Sequence, residues 1–216
     1  MGISVDQKRI AIFSGKGGVG KSTLSAILAV AAQDSILIDC DPQASVSHWG
    51  DVRGGEPEVL SIPPTRLKKT LTKLNHQYVL VDTPGALVSG TLDALKQMDL
   101  ILIVSPTDTF ELAALNDTLN TAEVAQVPIA LLVNRLHPQA KAETALEILS
   151  ELELPICPIV IRERALHKHA LIEGKTCLDQ DSMGIASIEI NAVWQWIKDL
   201  LHSNSESNSE LSLESI

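Results

Sequence analysis

Aromatic side chains are scarce. Phenylalanine, tryptophan and tyrosine make up 3% of the 216 residues, too few to build the row of stacked rings on which single-stranded nucleic acid is held. Cysteine is almost missing as well: Cys40, Cys157 and Cys177 are odd in number and share no metal-ligand spacing, which argues against a disulfide framework or a zinc site and for reduced thiols in a cytosol. No apolar run approaches the length of a bilayer span, and no basic-then-apolar leader opens the chain, so a soluble intracellular protein is expected. Nor is there an excess of positive charge. A formal charge of -10 argues against a surface that coats nucleic acid, although a local basic patch remains compatible with it.

What the chain does have is a regular alternation. Near-continuous apolar runs of strand length lie at 9–13, 35–39, 78–82, 100–105, 129–134 and 156–161, and such runs suit strands buried on both faces of a parallel sheet. Between them the helical patterns fall at 21–33, 67–75, 91–97, 111–125, 140–152 and 165–173. A last helix at 188–202 carries Ile190, Val193, Trp194, Ile197, Leu200 and Leu201 on one face. Strand and helix in turn imply right-handed crossovers, hence an α/β fold: a doubly wound, mostly parallel sheet with helices on both faces. The length fits a single domain over 1–202, and the serine-rich acidic stretch 203–216 is expected to be a disordered tail.

The segment FSGKGGVGKSTL, 13–24, satisfies G-x-x-x-x-G-K-[ST] between a predicted strand and a predicted helix, the context that phosphate loop requires. Glycines let successive N–H groups turn toward phosphate oxygens, and the following helix presents its positive end. Gly15, Lys16, Gly17, Gly18, Val19, Gly20, Lys21, Ser22 and Thr23 are therefore the expected nucleotide-binding residues. Lys21 would reach the β- and γ-phosphates, and the Ser22 hydroxyl would ligate Mg²⁺. Lys16 is superfluous for an ordinary phosphate loop, whose backbone and one lysine already neutralise the triphosphate.

That extra lysine makes KGGVGKST resemble the signature of the ParA/MinD family of deviant Walker ATPases, and the resemblance extends from about Arg9 to about Leu201, nearest to short ParF-like partition ATPases. It implies a P-loop NTPase domain that uses ATP and Mg²⁺. The counterpart of Lys16 crosses a dimer interface to the neighbour's phosphates, and Lys16, Lys21 and Asp41 are the implied catalytic residues. In LIDCDPQAS, Asp41 is assigned to the attacking water and Asp39 to the Mg²⁺ water shell; capping of the next helix is the competing role for these carboxylates. In YVLVDTPGAL, Asp82 would hold a metal-bound water and Gly85 would sense the γ-phosphate. Pro106 lies in a segment that approaches the dimer interface, Asn134 in LLVNR would read the adenine edge, and Arg162 follows the last strand at the nucleotide.

The chain also departs from the pattern. The link after the first helix, AAQDSILID, lacks the usual glycine, which leaves that helix's cap unspecified. Only a handful of residues precede Arg9, so no helix-turn-helix is expected there. The last helix has one lysine, Lys198, and an acidic sequel, which disfavours membrane docking. The paired cysteines of the nitrogenase iron protein have no counterpart between Cys40 and Cys157. Two basic sets are candidates for DNA: Arg162, Arg164, Lys168 and Lys175, or Arg66, Lys69 and Lys73 on one helical face. His167 and His169 are too few for a metal centre, and Trp194 and Trp196 read as core and flank.

The resemblance thus implies an ATPase that dimerises on ATP, binds nonspecific DNA and is stimulated by a centromere-binding, ParB-like partner. It would distribute plasmids, chromosomes or protein bodies in a bacterial cytoplasm, at the nucleoid where DNA is bound. The alternatives are a metallocentre-assembly ATPase or a dethiobiotin-synthetase-like ligase of the same fold, and a noncatalytic nucleotide-gated scaffold.

Overall fold

The computed structural model describes residues 6–105 and 112–213. Its six strands are β1 (Lys8–Phe13), β2 (Ser35–Asp39), β3 (Glu58–Ser61), β4 (Tyr78–Asp82), β5 (Leu100–Ser105) and β6 (Ile129–Val133). They form one sheet in the order β3-β2-β4-β1-β5-β6, parallel throughout. The helices are α1 (Lys21–Ala32), α2 (Ser45–Arg53), α3 (Leu67–Leu71), α4 (Thr91–Leu95), α5 (Leu112–Glu123), α6 (Ala142–Ser150), α7 (Ala165–Ile172), α8 (Cys177–Gln180) and α9 (Ile185–Leu213). None of the described helices is long and apolar enough to cross a membrane.

The apolar runs form strands because both faces of the sheet are covered, and alternate side chains go to alternate sides. Ile10, Ile12, Leu37, Leu80 and Leu102 pack with Leu24, Ile27 and Leu28 of α1, Trp49 of α2 and Ile190, Val193 and Ile197 of α9. Ala11, Phe13, Ile38, Val81 and Ile103 pack with α3 to α6 through Leu71, Leu95, Leu119 and Leu149. Each fully buried side chain of this size is worth about 1.5–3 kcal/mol against exposure. Trp194 is core as expected, edge-on to Tyr78 with ring centroids 4.8 Å apart.

Three expectations are revised. The run 156–161 is not a strand: Pro155 and Pro158 lack the N–H groups a ladder needs, so only isolated parallel bridges, Leu131 to Ile156 and Leu136 to Arg162, attach it to the sheet edge. The stretch between β2 and β4, where one helix was expected at 67–75, also holds α2 and the edge strand β3. Helix α9 runs on to Leu213, through much of the expected tail, with no Pro or Gly after Gly184 to stop it. Pro106 lies outside the described residues.

Candidate functional site

The register places the ends of β1, β2 and β4 side by side: Ile12 opposes Asp82, and Asp82 opposes Asp39. In an open parallel sheet this carboxyl end is where ligands bind. The chain leaves β1 through the loop 14–20 and enters α1 at Gly20, whose φ of 90° favours glycine. A side chain there would also be obstructed, since a Cβ would lie 2.7 Å from Asn134 Nδ2. Gly18 is left-handed too, at φ 81°. No side chain caps the N-terminus of α1, so its positive end faces the cavity beside it.

That cavity has a volume of about 640 Å³ and is lined by the loop glycines Gly17, Gly18 and Gly20, by Lys21, Ser22 and Thr23, and by Asp41, Pro84, Gly85, Arg135 and Lys168. It is of a size that holds a small ligand. Lys21 is buried, with Nζ 3.2 Å from the carbonyl oxygen of Lys16. Burial lowers its pKa, against the attraction of Asp82 and Asp41. Gly85 lies across from the loop, where an added Cβ would sit 3.5 Å from Lys21 Nζ and from Gly17 Cα. Lys16 is half-buried and does not line the cavity.

The two strand-end carboxylates have different fates. Asp39 is fully engaged: Oδ1 accepts from the Asp41 N–H at 3.0 Å, and Oδ2 accepts from the N–H and hydroxyl of Ser47, both at 2.8 Å. It caps the first turn of α2, the competing role for this carboxylate, and does not line the cavity. Asp82 is completely buried. Its Oδ1 accepts from the Ser25 hydroxyl at 2.9 Å, and Oδ2 has no partner. Burial pushes its carboxyl up to about 7, although hydrogen bonds from Ser22 and Ser25 and the charge of Lys21 pull the other way. A buried oxygen with an open lone pair beside a serine hydroxyl and a phosphate loop fits a hydrated Mg²⁺. Ser22 and Asp82 are the residues that would hold it, and the ion would neutralise phosphate charge.

Asn134 is buried at the end of β6, where Nδ2 donates to the carbonyl of Val19 at 2.9 Å, so it pins the loop. Arg162 is brought near but committed elsewhere: Nη1 reaches the carbonyls of Pro138 and Ala140 at 3.1 Å and of His137 at 3.3 Å. Arg135 was not anticipated. It donates to the Gly18 carbonyl and, at 2.6 Å, to Glu163, and its backbone φ is 59°. Its only sequence signal is its position directly after Asn134. Of the two basic sets, one is balanced by acids: Arg164 pairs with Glu189, Lys168 with Glu163 and Lys175 with Glu173. Arg66, Lys69 and Lys73 are exposed and, among the described residues, in no ion pair. No group of three or more His, Cys, Asp and Glu side chains gathers among the described residues.

Known proteins resemble this chain in sequence and in fold. The model of the CobQ/CobB/MinD/ParA nucleotide binding domain matches residues 10–177. A maintenance of carboxysome distribution protein A from Gloeobacter kilaueensis is 33% identical over 190 residues, covering 82% of this chain and 88% of the relative. Its namesake from Halothiobacillus neapolitanus is 28% identical over 203 residues, covering 85% and 93%. The solved ATP complex of a McdA variant from Cyanothece superposes with a TM-score of 0.74 at 18% identity, covering 91% of this chain and 97% of that one, a likeness of fold.

Proposed function

We propose that this chain, which belongs to the CobQ/CobB/MinD/ParA nucleotide-binding domain family and is an ATPase of its ParA/MinD branch, works as an ATP-gated switch that positions a large cargo. The observation that carries the reading is the convergence of Gly17, Gly18, Gly20, Lys21, Ser22, Asp41 and Gly85 on one cavity at the uncapped end of α1. Backbone N–H groups and Lys21 bind the triphosphate. Asp41, half-buried at the cavity wall with Oδ1 held by the Gln43 N–H at 2.9 Å, orients the attacking water, and Gly85 follows the γ-phosphate. Lys16 crosses to the nucleotide of a second copy, so that ATP joins two subunits and hydrolysis parts them.

The dimer holds DNA without sequence preference through Arg66, Lys69 and Lys73, which lie before, on and after α3 and are in no ion pair among the described residues, doubled by symmetry. The balanced set around α7 is the poorer candidate, because its cations already have acidic partners. A partner protein of the ParB-like class stimulates hydrolysis. The names of two relatives, both concerned with carboxysome distribution, favour a protein body as the cargo over a plasmid.

The reading is tested by sedimentation of the purified chain with Mg²⁺ and ATP. Wild type is expected to dimerise, Lys16→Ala to bind ATP as a monomer, Lys21→Ala to lose nucleotide, and Asp41→Ala to remain an ATP-bound dimer that releases no phosphate. Binding of the dimer to long DNA should weaken with salt, and replacing Arg66, Lys69 and Lys73 by alanine should flatten that slope by about 0.9 per lost phosphate contact. A wild type that stays monomeric with ATP, or a Lys21→Ala that hydrolyses normally, sinks the proposal.

A further inference from the structure

Helix α5 buries Leu115, Thr118, Leu119 and Ala122, which are spaced as one helical face. Leu115, Leu119 and Ala122 belong to the core cluster that also holds Ala11 and Phe13 of β1 and Ile101 and Ile103 of β5, so packing fixes α5 against the strand from which the phosphate loop leaves. Thr118 is the polar member of that face. Valine has nearly the same shape, and a buried hydroxyl is costly unless it finds a partner. The partner is the start of the phosphate loop: the Gly15 N–H donates to Thr118 Oγ1 at 3.0 Å, across a separation of 103 residues. The approach is so close that a Cβ on Gly15 would lie 2.9 Å from the same oxygen, which gives glycine at this position a reason besides phosphate binding.

Lys16 follows at once. Its N–H donates to Ser14 Oγ at 3.3 Å, and its carbonyl accepts from Lys21 Nζ at 3.2 Å. Neither of these two bonds ties it to a separate element once nucleotide is bound, because Ser14 moves with the loop and Lys21 turns to phosphate. The Thr118 bond is of another kind. It reaches a helix that is packed into the core, through a β-branched side chain whose χ1 is restricted. The loop is therefore anchored to α5 one residue before the lysine that has to leave the subunit.

We infer that Thr118 is a positioning residue for Lys16: its hydroxyl anchors the loop to α5 so that Lys16 is presented to the nucleotide of the second copy. The inference rests on the dimer reading above and adds the residue that prepares the loop for it. Loss of one such bond lowers the fraction of loops ready to dimerise about fivefold. A symmetric dimer uses the loop twice, so its Kd should rise about 25-fold. The test takes the full chain with Mg²⁺ and measures ADP affinity, and dimerisation with a non-hydrolysable ATP analogue by sedimentation equilibrium. Thr118→Val should bind ADP within about twofold of wild type and dimerise about 25-fold more weakly, whereas Thr118→Ser, which keeps the hydroxyl, should recover most of the difference. A merely structural role would weaken ADP binding and dimerisation together, and that result overturns the inference. In wild type, the Gly15 amide should exchange slowly with solvent both without nucleotide and in the analogue-bound dimer; fast exchange in either state also overturns it, whether or not the variants fold. A wild type that stays monomeric removes the dimer reading and this inference with it, whereas a Thr118→Val as dimeric as a dimeric wild type removes the inference alone.

Discussion

Replacing Asp82 by asparagine is expected to make the nucleotide-free, magnesium-free protein more stable at alkaline pH. The carboxyl is completely buried with one oxygen unpartnered, and it titrates at about 7 instead of 3.8. Burial is the largest cause. A carboxyl raised in this way binds its proton more tightly folded than unfolded, so the wild type loses stability as pH rises from about 4 to about 7. A difference of that size sets a ceiling of about 4 kcal/mol. Asparagine keeps an acceptor for Ser25 but brings a buried amide N–H₂ that needs acceptors of its own, so a net gain of about 2 kcal/mol is expected above pH 7. The assay is urea unfolding of both proteins at pH 4.5 and pH 8, read as the difference between their stabilities. That difference should be no more than about 1 kcal/mol at the lower pH and should grow to its full value at the higher. An asparagine variant less stable at pH 8, or a gap that does not change with pH, refutes the argument that Asp82 is a desolvated group with unmet demand. Added Mg²⁺ and ATP should stabilise the wild type more than the variant.

The register neighbour of Asp82 should respond with the opposite sign. Asp39→Asn weakens the charged acceptor that the N–H and hydroxyl of Ser47 share, and should cost about 1–2 kcal/mol in a denaturation series at pH 7. Gln33 ends α1 at φ 59°, a conformation that favours glycine; Gln33→Gly should therefore gain about 1 kcal/mol and raise Tm by about 2–4 °C in a thermal scan. Arg53 spans from α2 to Asp179 with two bonds at 3.0 Å and lies over the Trp49 ring. Burial raises the Asp179 carboxyl, but the Arg53 and Thr176 hydrogen bonds outweigh it and hold it at about 2. The stability it contributes is therefore present above pH 4 and lost as pH falls toward 2. Asp179→Asn should lower the urea midpoint at pH 7, and the gap should close as the pH falls through that range.

The parts of the fold legible in the sequence were those whose determinants are local. Five strands announced themselves as apolar runs because both faces of the sheet are covered, and the phosphate loop did so because its glycines, lysines and following helix lie within a dozen residues. What escaped depended on distant contacts. Helix α2 is weakly apolar, and the carboxylate that caps it comes from the end of the preceding strand. Strand β3 is four residues long, at the sheet edge, and packs where Gly50 of α2 leaves room: a Cβ on Gly50 would come within 2.6 Å of Val59. The misread run 156–161 had its correction in plain view in Pro155 and Pro158. Apolarity alone does not make a ladder when N–H groups are missing.

The site divides along the same line. Asp39 and Asp82 each close a strand, sit opposite one another and look alike in sequence, yet one is a structural cap and the other is left with an open oxygen. The difference is the number of donors each receives. The chain after Asp39 turns back at once and delivers three, from Asp41 and Ser47. The chain after Asp82 runs on through Thr83, whose hydroxyl bonds the Ile12 carbonyl at 2.7 Å instead, so among the described residues Asp82 accepts a hydrogen bond from α1 alone, from the Ser25 hydroxyl. That serine belongs to the helix that the phosphate loop starts. Asp82 is thus coupled to the nucleotide site through α1, and Asp39 to the placement of α2 and of the Asp41 loop that precedes it. Which carboxylate keeps an open oxygen follows from which loop returns its N–H groups, a property that residue identity alone does not reveal.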